Sequence, residues 1–177
     1  KEGVKKEVEY EIKTELRTAG RYLIQKEVVK WDSMNSEMFG AKMGAALEAA
    51  IAAGMADTNR APAAFYFTWD EENEEAEMSV GIPVGEGEAP EGFEIYTTPE
   101  GSAMVIDYYG AYDGMEGAHM ALSSEVRSSE EVENNGAVME EYVTDPAIDS
   151  DPAKVLTKII HPVKAKGAPD EGGEPES

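Results

Sequence analysis

An α+β fold built from two tandem βαββ units, with an antiparallel sheet and one helix per unit lying on it, is what this sequence predicts. Three observations carry the prediction. Several short segments alternate apolar and polar residues with period two, two longer stretches place apolar residues at helical spacing, and both patterns recur at an offset of about 80 residues.

Alternation at Val8, Tyr10 and Ile12 marks the first strand, and Thr18-Ala19-Gly20 turns the chain into a second over residues 21–30. Asp32 and Ser33 can cap a helix in which Phe39, Met43, Leu47, Ala50 and Ile51 fall near the 3.6-residue period, and Gly54 suits its end. An aromatic-rich strand over 64–69 follows. The acidic run 70–75 then turns the chain into a strand in which Met78, Val80, Ile82 and Val84 alternate.

The second unit repeats this order. Phe93 and Ile95 open it, and residues 97–101 lead into a strand over 102–109 with Met104, Ile106 and Tyr108 on one side. A helix starting at Asp113 carries Met115, Ala118, Leu122 and Val126 on one face. Strands over 139–144 and 155–163 close the unit, with Asp145-Pro146 and Asp151-Pro152 bracketing the turn between them. Trp31-Asp32-Ser33-Met34 lies over Tyr112-Asp113-Gly114-Met115, and Val80-Gly81-Ile82-Pro83-Val84 over Ile159-Ile160-His161-Pro162-Val163. One domain over 1–163 is therefore expected, its first half about 8–84 and its second about 91–163. From residue 164 onward Gly, Pro and Glu dominate without periodicity, which predicts a disordered acidic tail over 164–177. Gly40, Gly44, Gly114 and Gly117 weaken both helices, so close packing on the sheet must compensate.

Fifteen Lys and Arg stand against thirty-seven Asp and Glu, a formal charge of -22 in 177 residues. Such a field repels phosphate backbones and anionic lipid head groups, so neither nucleic acid nor a membrane surface is expected as a direct partner. The acidity fits a solvated surface, or a cationic ligand or partner. With no cysteine there is neither a disulfide framework nor a thiolate metal site. No apolar run reaches the roughly 20 residues of a membrane span and no leader opens the chain, which favours a cytoplasmic location over export. A chain that begins at Lys1 rather than Met is expected to be processed or to be part of a longer protein, a preceding domain included.

Three motifs resemble the GyrI-like family, the bacterial transcription-activator effector-binding domains. Tyr109-Gly110-Ala111-Tyr112 is similar to its Gly-Pro-Tyr turn, with Ala111 where proline is usual. The stretch from Glu140-Glu141-Tyr142 through Asp145-Pro146 resembles its Glu-x-Tyr-x-x-Asp-Pro strand, and residues 157–163 resemble its closing Thr-x-Ile-x-x-Pro-Val strand. Gly81-Ile82-Pro83-Val84 fits the corresponding strand of the first half, whereas Val29-Lys30-Trp31 replaces the turn motif there. The resemblance implies two βαββ modules related by pseudo-twofold symmetry. It also implies a central cleft for hydrophobic, often cationic, compounds, in regulators, in stand-alone proteins and in some hydrolases of strained toxins.

Laying the halves over each other sets Phe65 against Glu140 and Phe67 against Tyr142. Side chains alternate along a strand, so Glu140 and Tyr142 share a face and Glu141 points away. If the two strands meet at the cleft, one carboxylate sits among rings. Glu140, Tyr142, Tyr109, Phe65 and Phe67 are the candidate ligand-binding residues. Such a carboxylate can pair with a ligand cation resting on ring faces, can act as a general acid or base if desolvation shifts its pKa, or can be an exposed strand residue of an acidic protein. Tyr109 can line the groove or pack at its strand end, Trp31 and Tyr112 are expected to anchor their helices, and Trp69 is a weaker ligand candidate. His119 and His161 lack metal-ligand spacing, and residues 70–75 lack the glycine of a calcium loop, so neither metal nor cofactor is expected. Three functions follow: a small-molecule binding domain anchored by Glu140, a hydrolase of strained electrophiles using Glu140 for proton transfer with Tyr142 and Tyr109 orienting the substrate, and a protein-interaction or inhibitor module.

Overall fold

The structure is a computed structural model that describes residues 9–145 and 151–167. Along the chain come β1 (Lys13–Arg17), β2 (Arg21–Ile24), β3 (Glu27–Lys30), α1 (Ser36–Ala52), β4 (Ala63–Asp70) and β5 (Glu75–Pro83). They are followed by β6 (Glu94–Thr97), β7 (Gly101–Tyr109), α2 (Glu116–Ser128), β8 (Val132–Asn134), β9 (Val138–Tyr142) and β10 (Leu156–Ala165). The strands form one sheet in the order β1-β7-β10-β9-β4-β5-β2-β6, with β3 also on β5 and β8 also on β10. Every pairing is antiparallel. The architecture is thus α+β, two helices on a curled antiparallel sheet.

The opening strand of each predicted unit pairs with the second strand of the other. β1 lies on β7 with Lys13 facing Val105, and β6 lies on β2 with Tyr96 facing Tyr22. At the centre β4 meets β9, with Ala64 opposite Glu140 and Phe65 opposite Met139. The two segments that superpose in sequence, Trp31–Ser33 and Tyr112–Gly114, both fold as single 3-10 turns ahead of their helices.

Both faces of the sheet are buried, each in its own way. On one, Tyr22, Ile24, Phe65, Val105, Met139 and Ile160 form a cluster. It joins β2 to β7, which stand near opposite ends of the strand order, so the sheet must curl into a half-barrel to bring them together. Helices cover the other face. Ala46 and Ala50 of α1 pack on Leu23, Ile82 and Val84, while Ala118 and Leu122 of α2, with Met115 just ahead of it, pack on Ile106 and Ile159. β4 and β9 run along the seam between these two helix contacts, and whatever their helix-side residues carry is gathered there.

Several local expectations are corrected. Asn35, not Asp32 or Ser33, caps α1, its side chain accepting a hydrogen bond from the Met38 amide. The buried stripe of α1 is Ala46 and Ala50 with Met43, while Leu47 and Ile51 face outward. Both stripes have helical spacing, and the alanines win because small side chains let the helix approach the sheet. The second strand is interrupted at Gln25, whose amide donates to Ser79 Oγ at 2.9 Å. Tyr10 and Ile12 pack against the α2 cluster without joining a strand, and Val8 lies outside the described residues. The predicted tail begins too early, because Lys164 and Ala165 pair with Glu133 and Val132 in β8, a strand the sequence did not announce. Residues 168–177 lie outside the description. No helix among the described residues is long and apolar enough to cross a membrane.

Candidate functional site

Period-two alternation along β9 turns Glu140 toward the helix side at the seam, where it is buried, 5% exposed. A buried carboxylate must be supplied with hydrogen bonds. Tyr142, two residues on and hence on the same face, donates its hydroxyl to Glu140 Oε1 at 2.6 Å. From α2, Nε2 of His119 meets Oε2 at 2.6 Å. Tyr66 of β4 adds a hydroxyl close enough to hydrogen-bond the same carboxylate. Burial, followed by the negative charge of Glu140, holds the phenol of Tyr142 well above its ordinary pKa, and the same two causes act on Tyr66. Burial likewise raises that of Tyr112, with Asp145 and Glu140 adding to it. The Tyr142 and Tyr66 phenols are therefore firm donors to that carboxylate.

A β-bulge builds the rest of the site. The β4 to β5 register shifts between Tyr66 and Thr68, so Tyr66 and Trp69, three residues apart, come to the same side of the sheet. Their rings lie 6.0 Å apart, edge to face, and Trp69 stacks on Trp31 at 4.9 Å. Tyr66 in turn meets His119 edge to face at 6.1 Å, and Tyr112 lies 5.5 Å from Tyr142. A continuous aromatic wall thus runs from the indole pair to the carboxylate. Trp69 and Tyr112 are exposed at its two ends.

The sequence had Glu140 and Tyr142 on one face, and they are there. Phe65 and Phe67 are not with them. Phe65 faces Met139 rather than Glu140 and lies with Phe67 in the half-barrel cluster, on the opposite side of the sheet. The reason is antiparallel register: positions equivalent by repeat are not positions adjacent across β4 and β9. Tyr109, 58% exposed at the end of β7, also stands outside the group. Residues that reasoning from sequence missed are Tyr66, whose place follows from its parity with Ala64, and His119, whose neighbour Ala118 is on the buried face of α2. Trp69, a weaker candidate from sequence, joins the wall through the bulge, which nothing in the sequence marks.

His161 is buried, and neither ring nitrogen has a hydrogen-bond partner among the described residues; Thr157 Oγ1 is in the same condition. Burial, and next the nearby His119, depress the His161 pKa to about 4. Among the described residues no group of three or more His, Asp or Glu is arranged to hold a metal ion. Two cavities lie away from Glu140: an open apolar trough of about 780 Å³ along the outer side of α1, and a pocket of about 390 Å³ on the opposite side of the sheet. Over Glu140 itself, His119 and the tyrosines close the seam.

Similarity to known proteins agrees with this architecture. The profile of the GyrI-like small molecule binding domain matches residues 11–164, and the chain belongs to that family. The crystal structure of the EcmrR C-terminal domain superposes with a TM-score of 0.72 at 16% identity, covering 88% of this chain and 98% of that one. EcmrR in its cryo-EM complex with DNA gives the same score and identity, and this chain spans 57% of its length. A hydrolase from Listeria innocua superposes with a TM-score of 0.55 at 11% identity, covering 88% and 92% of the two chains. No match was found among curated protein sequences.

Proposed function

We propose that this domain binds a hydrophobic organic cation at the seam between α1 and α2, with Glu140 as its counter-ion. The observation that carries the reading is a carboxylate 5% exposed in a fold whose family binds small molecules, flanked by rings that extend to the surface at Trp69 and Tyr112. Ring faces attract a cation by roughly 0.5 to 2 kcal/mol each when partly desolvated, and a buried carboxylate adds a directional partner. In the described conformation His119 holds Oε2, so a ligand cation takes that place by displacing the imidazole. The cost of that displacement favours ligands with enough apolar surface to offset it. The test is thermal: benzyltrimethylammonium is expected to raise the melting temperature of the protein, and Glu140→Gln to remove the rise. An unchanged rise in that variant would overturn the reading.

Hydrolysis of a strained electrophile is the second reading, and the His119 to Glu140 pair favours it. Glu140 can hold His119 in the tautomer that accepts a proton from water, while the Tyr142 hydroxyl, donating to Oε1, keeps that carboxylate in place. Turnover lost in Glu140→Gln with affinity retained would favour this chemistry; affinity lost would favour the receptor.

A further inference from the structure

The face of the sheet turned away from Glu140 carries a second set of groups. Only four arginines occur in the chain, at positions 17, 21, 60 and 127. Three of them, Arg17, Arg21 and Arg60, line the pocket of about 390 Å³ at one end of the half-barrel, with Tyr22 and Met139 also in its lining. One carboxylate, Glu141, is in that lining, and Glu15 and Asp57 stand against Arg17 and Arg60 from just outside it, so the charges balance but only Arg21 lacks an acidic partner among the described residues. Such a concentration of guanidinium groups runs against the composition.

The three are held in place by different means. Arg17 is neutralised, its two terminal nitrogens lying 3.2 Å from Glu15 and Glu141. Arg21 has no carboxylate partner among the described residues; it donates only to the carbonyls of Gly85 at 3.0 Å and Gly87 at 2.7 Å. Arg60 donates to Asp57 and to the carbonyls of Arg21 and Val84, which fixes its fork with the guanidinium 5.3 Å from the centre of the Tyr22 ring. In Arg21 these bonds use Nε and Nη2 and leave Nη1 without a hydrogen-bond partner among the described residues, whereas the guanidinium of Arg60 also bonds the Tyr22 hydroxyl. Gly20 makes room for this: a Cβ there would come 2.9 Å from Nη1 of Arg60. A pre-positioned guanidinium with a spare donor at Arg21, beside the fixed charge of Arg60, matches carboxylate and phosphate geometry.

We propose that this pocket is a second ligand site, for a small organic anion whose carboxylate or phosphate is held by Arg21 and Arg60 and whose apolar body lies on Tyr22 and Met139. A volume near 390 Å³ suits a ligand of one ring or so. Fields from the distant acidic residues are screened over about 8 Å at 0.15 M salt, whereas contacts inside the pocket are not. The site shares no residue with the seam, so it stands or falls independently of the function proposed there.

Phenyl phosphate and benzoate are the probes, with benzyl alcohol as the neutral control, titrated at about 0.15 M salt and followed by amide NMR shifts. Saturable shifts centred on Gly20 and Thr98 are expected for the two anions. Affinity should fall about tenfold in Arg21→Gln, the weight of one charge-assisted contact, and stay the same in Glu140→Gln. Because Arg21 also ties down the loop at Gly85 and Gly87, Arg21→Lys serves beside it: the charge is kept, the fork is lost, and affinity should still fall. No saturation by either anion up to about 10 mM, a range that captures even millimolar binding, would overturn the proposal. So would equal affinity for benzyl alcohol, or shifts centred on Glu140.

Discussion

Nε2 of His119 lies 2.6 Å from Oε2 of Glu140, a contact across 21 positions of sequence that ties α2 to the central strand β9. Glu140 therefore already has an imidazole where an incoming cation would bind. A hydrogen bond to a charged group contributes roughly 1.5 to 3 kcal/mol, and a ligand that displaces His119 forfeits it. His119→Ala is accordingly expected to bind benzyltrimethylammonium about tenfold more tightly, the equivalent of about 1.4 kcal/mol. The same variant should be less stable by 1 kcal/mol or more, roughly the cost of an under-satisfied buried carboxylate. Calorimetric titration and urea unfolding measure the two effects, and they must move in opposite directions.

Phe65 is fully buried opposite Met139, on the half-barrel side of the sheet. Its truncation should therefore be a matter of packing alone. Phe65→Leu is expected to cost roughly 1 to 2 kcal/mol of stability, less than complete removal of the ring, and to leave affinity for the cation unchanged. A wall of the cation site would lose both, so paired unfolding and binding measurements on this one variant separate the two faces.

That separation also shows what the sequence could and could not disclose. Period-two alternation was enough to put Glu140 and Tyr142 on one side and Glu141 on the other, because parity along a strand is local. Which residue of β4 faces Glu140 is not local. It depends on the register between strands joined through α2 and a long connection, and that register chose Ala64 over Phe65. Trp69 was hidden for a related reason: a bulge changes parity, and no residue type announces one at Phe67. In α1 the pattern allowed two stripes one residue out of step, Ala46 with Ala50 and Leu47 with Ile51, and only packing against Leu23 and Ile82 decided for the alanines. The helix of the second half had a single stripe of larger residues, Met115, Leu122 and Val126, and was legible for that reason.

His161 makes stability depend on pH in a defined window. Its pKa in the folded protein is depressed to about 4 from 6.5, chiefly by burial and then by His119. The unfolded chain therefore takes up a proton at higher pH than the folded one does, and stability is lost as pH falls from about 6.5 to 4. The total loss from this group is about 3 kcal/mol. His161→Leu, which has no proton to take up, should flatten that part of the stability curve in urea unfolding across pH 4 to 7. A slope that persists unchanged in the variant would assign it to other groups.

Gly81 and Gly44 give opposite expectations for one substitution. At Gly81 in β5 a Cβ would meet Phe65 at 2.8 Å, Ile24 at 3.1 Å and Tyr22 at 3.2 Å, all on the half-barrel side. These are side chains of the closed cluster, with no slack to yield, so Gly81→Ala should cost roughly 1 to 3 kcal/mol by overpacking. At Gly44 in α1 nothing lies within 4 Å of the same atom, and the backbone is helical. Alanine there restricts the unfolded chain and fits the helix, so Gly44→Ala should add roughly 0.5 to 1 kcal/mol. Denaturant midpoints of the two variants should move to opposite sides of the parent protein. A gain at position 81 would mean that the half-barrel interior is looser than its contacts imply, and the close packing of β2 against β4 that fixes the curl would then have to be given up.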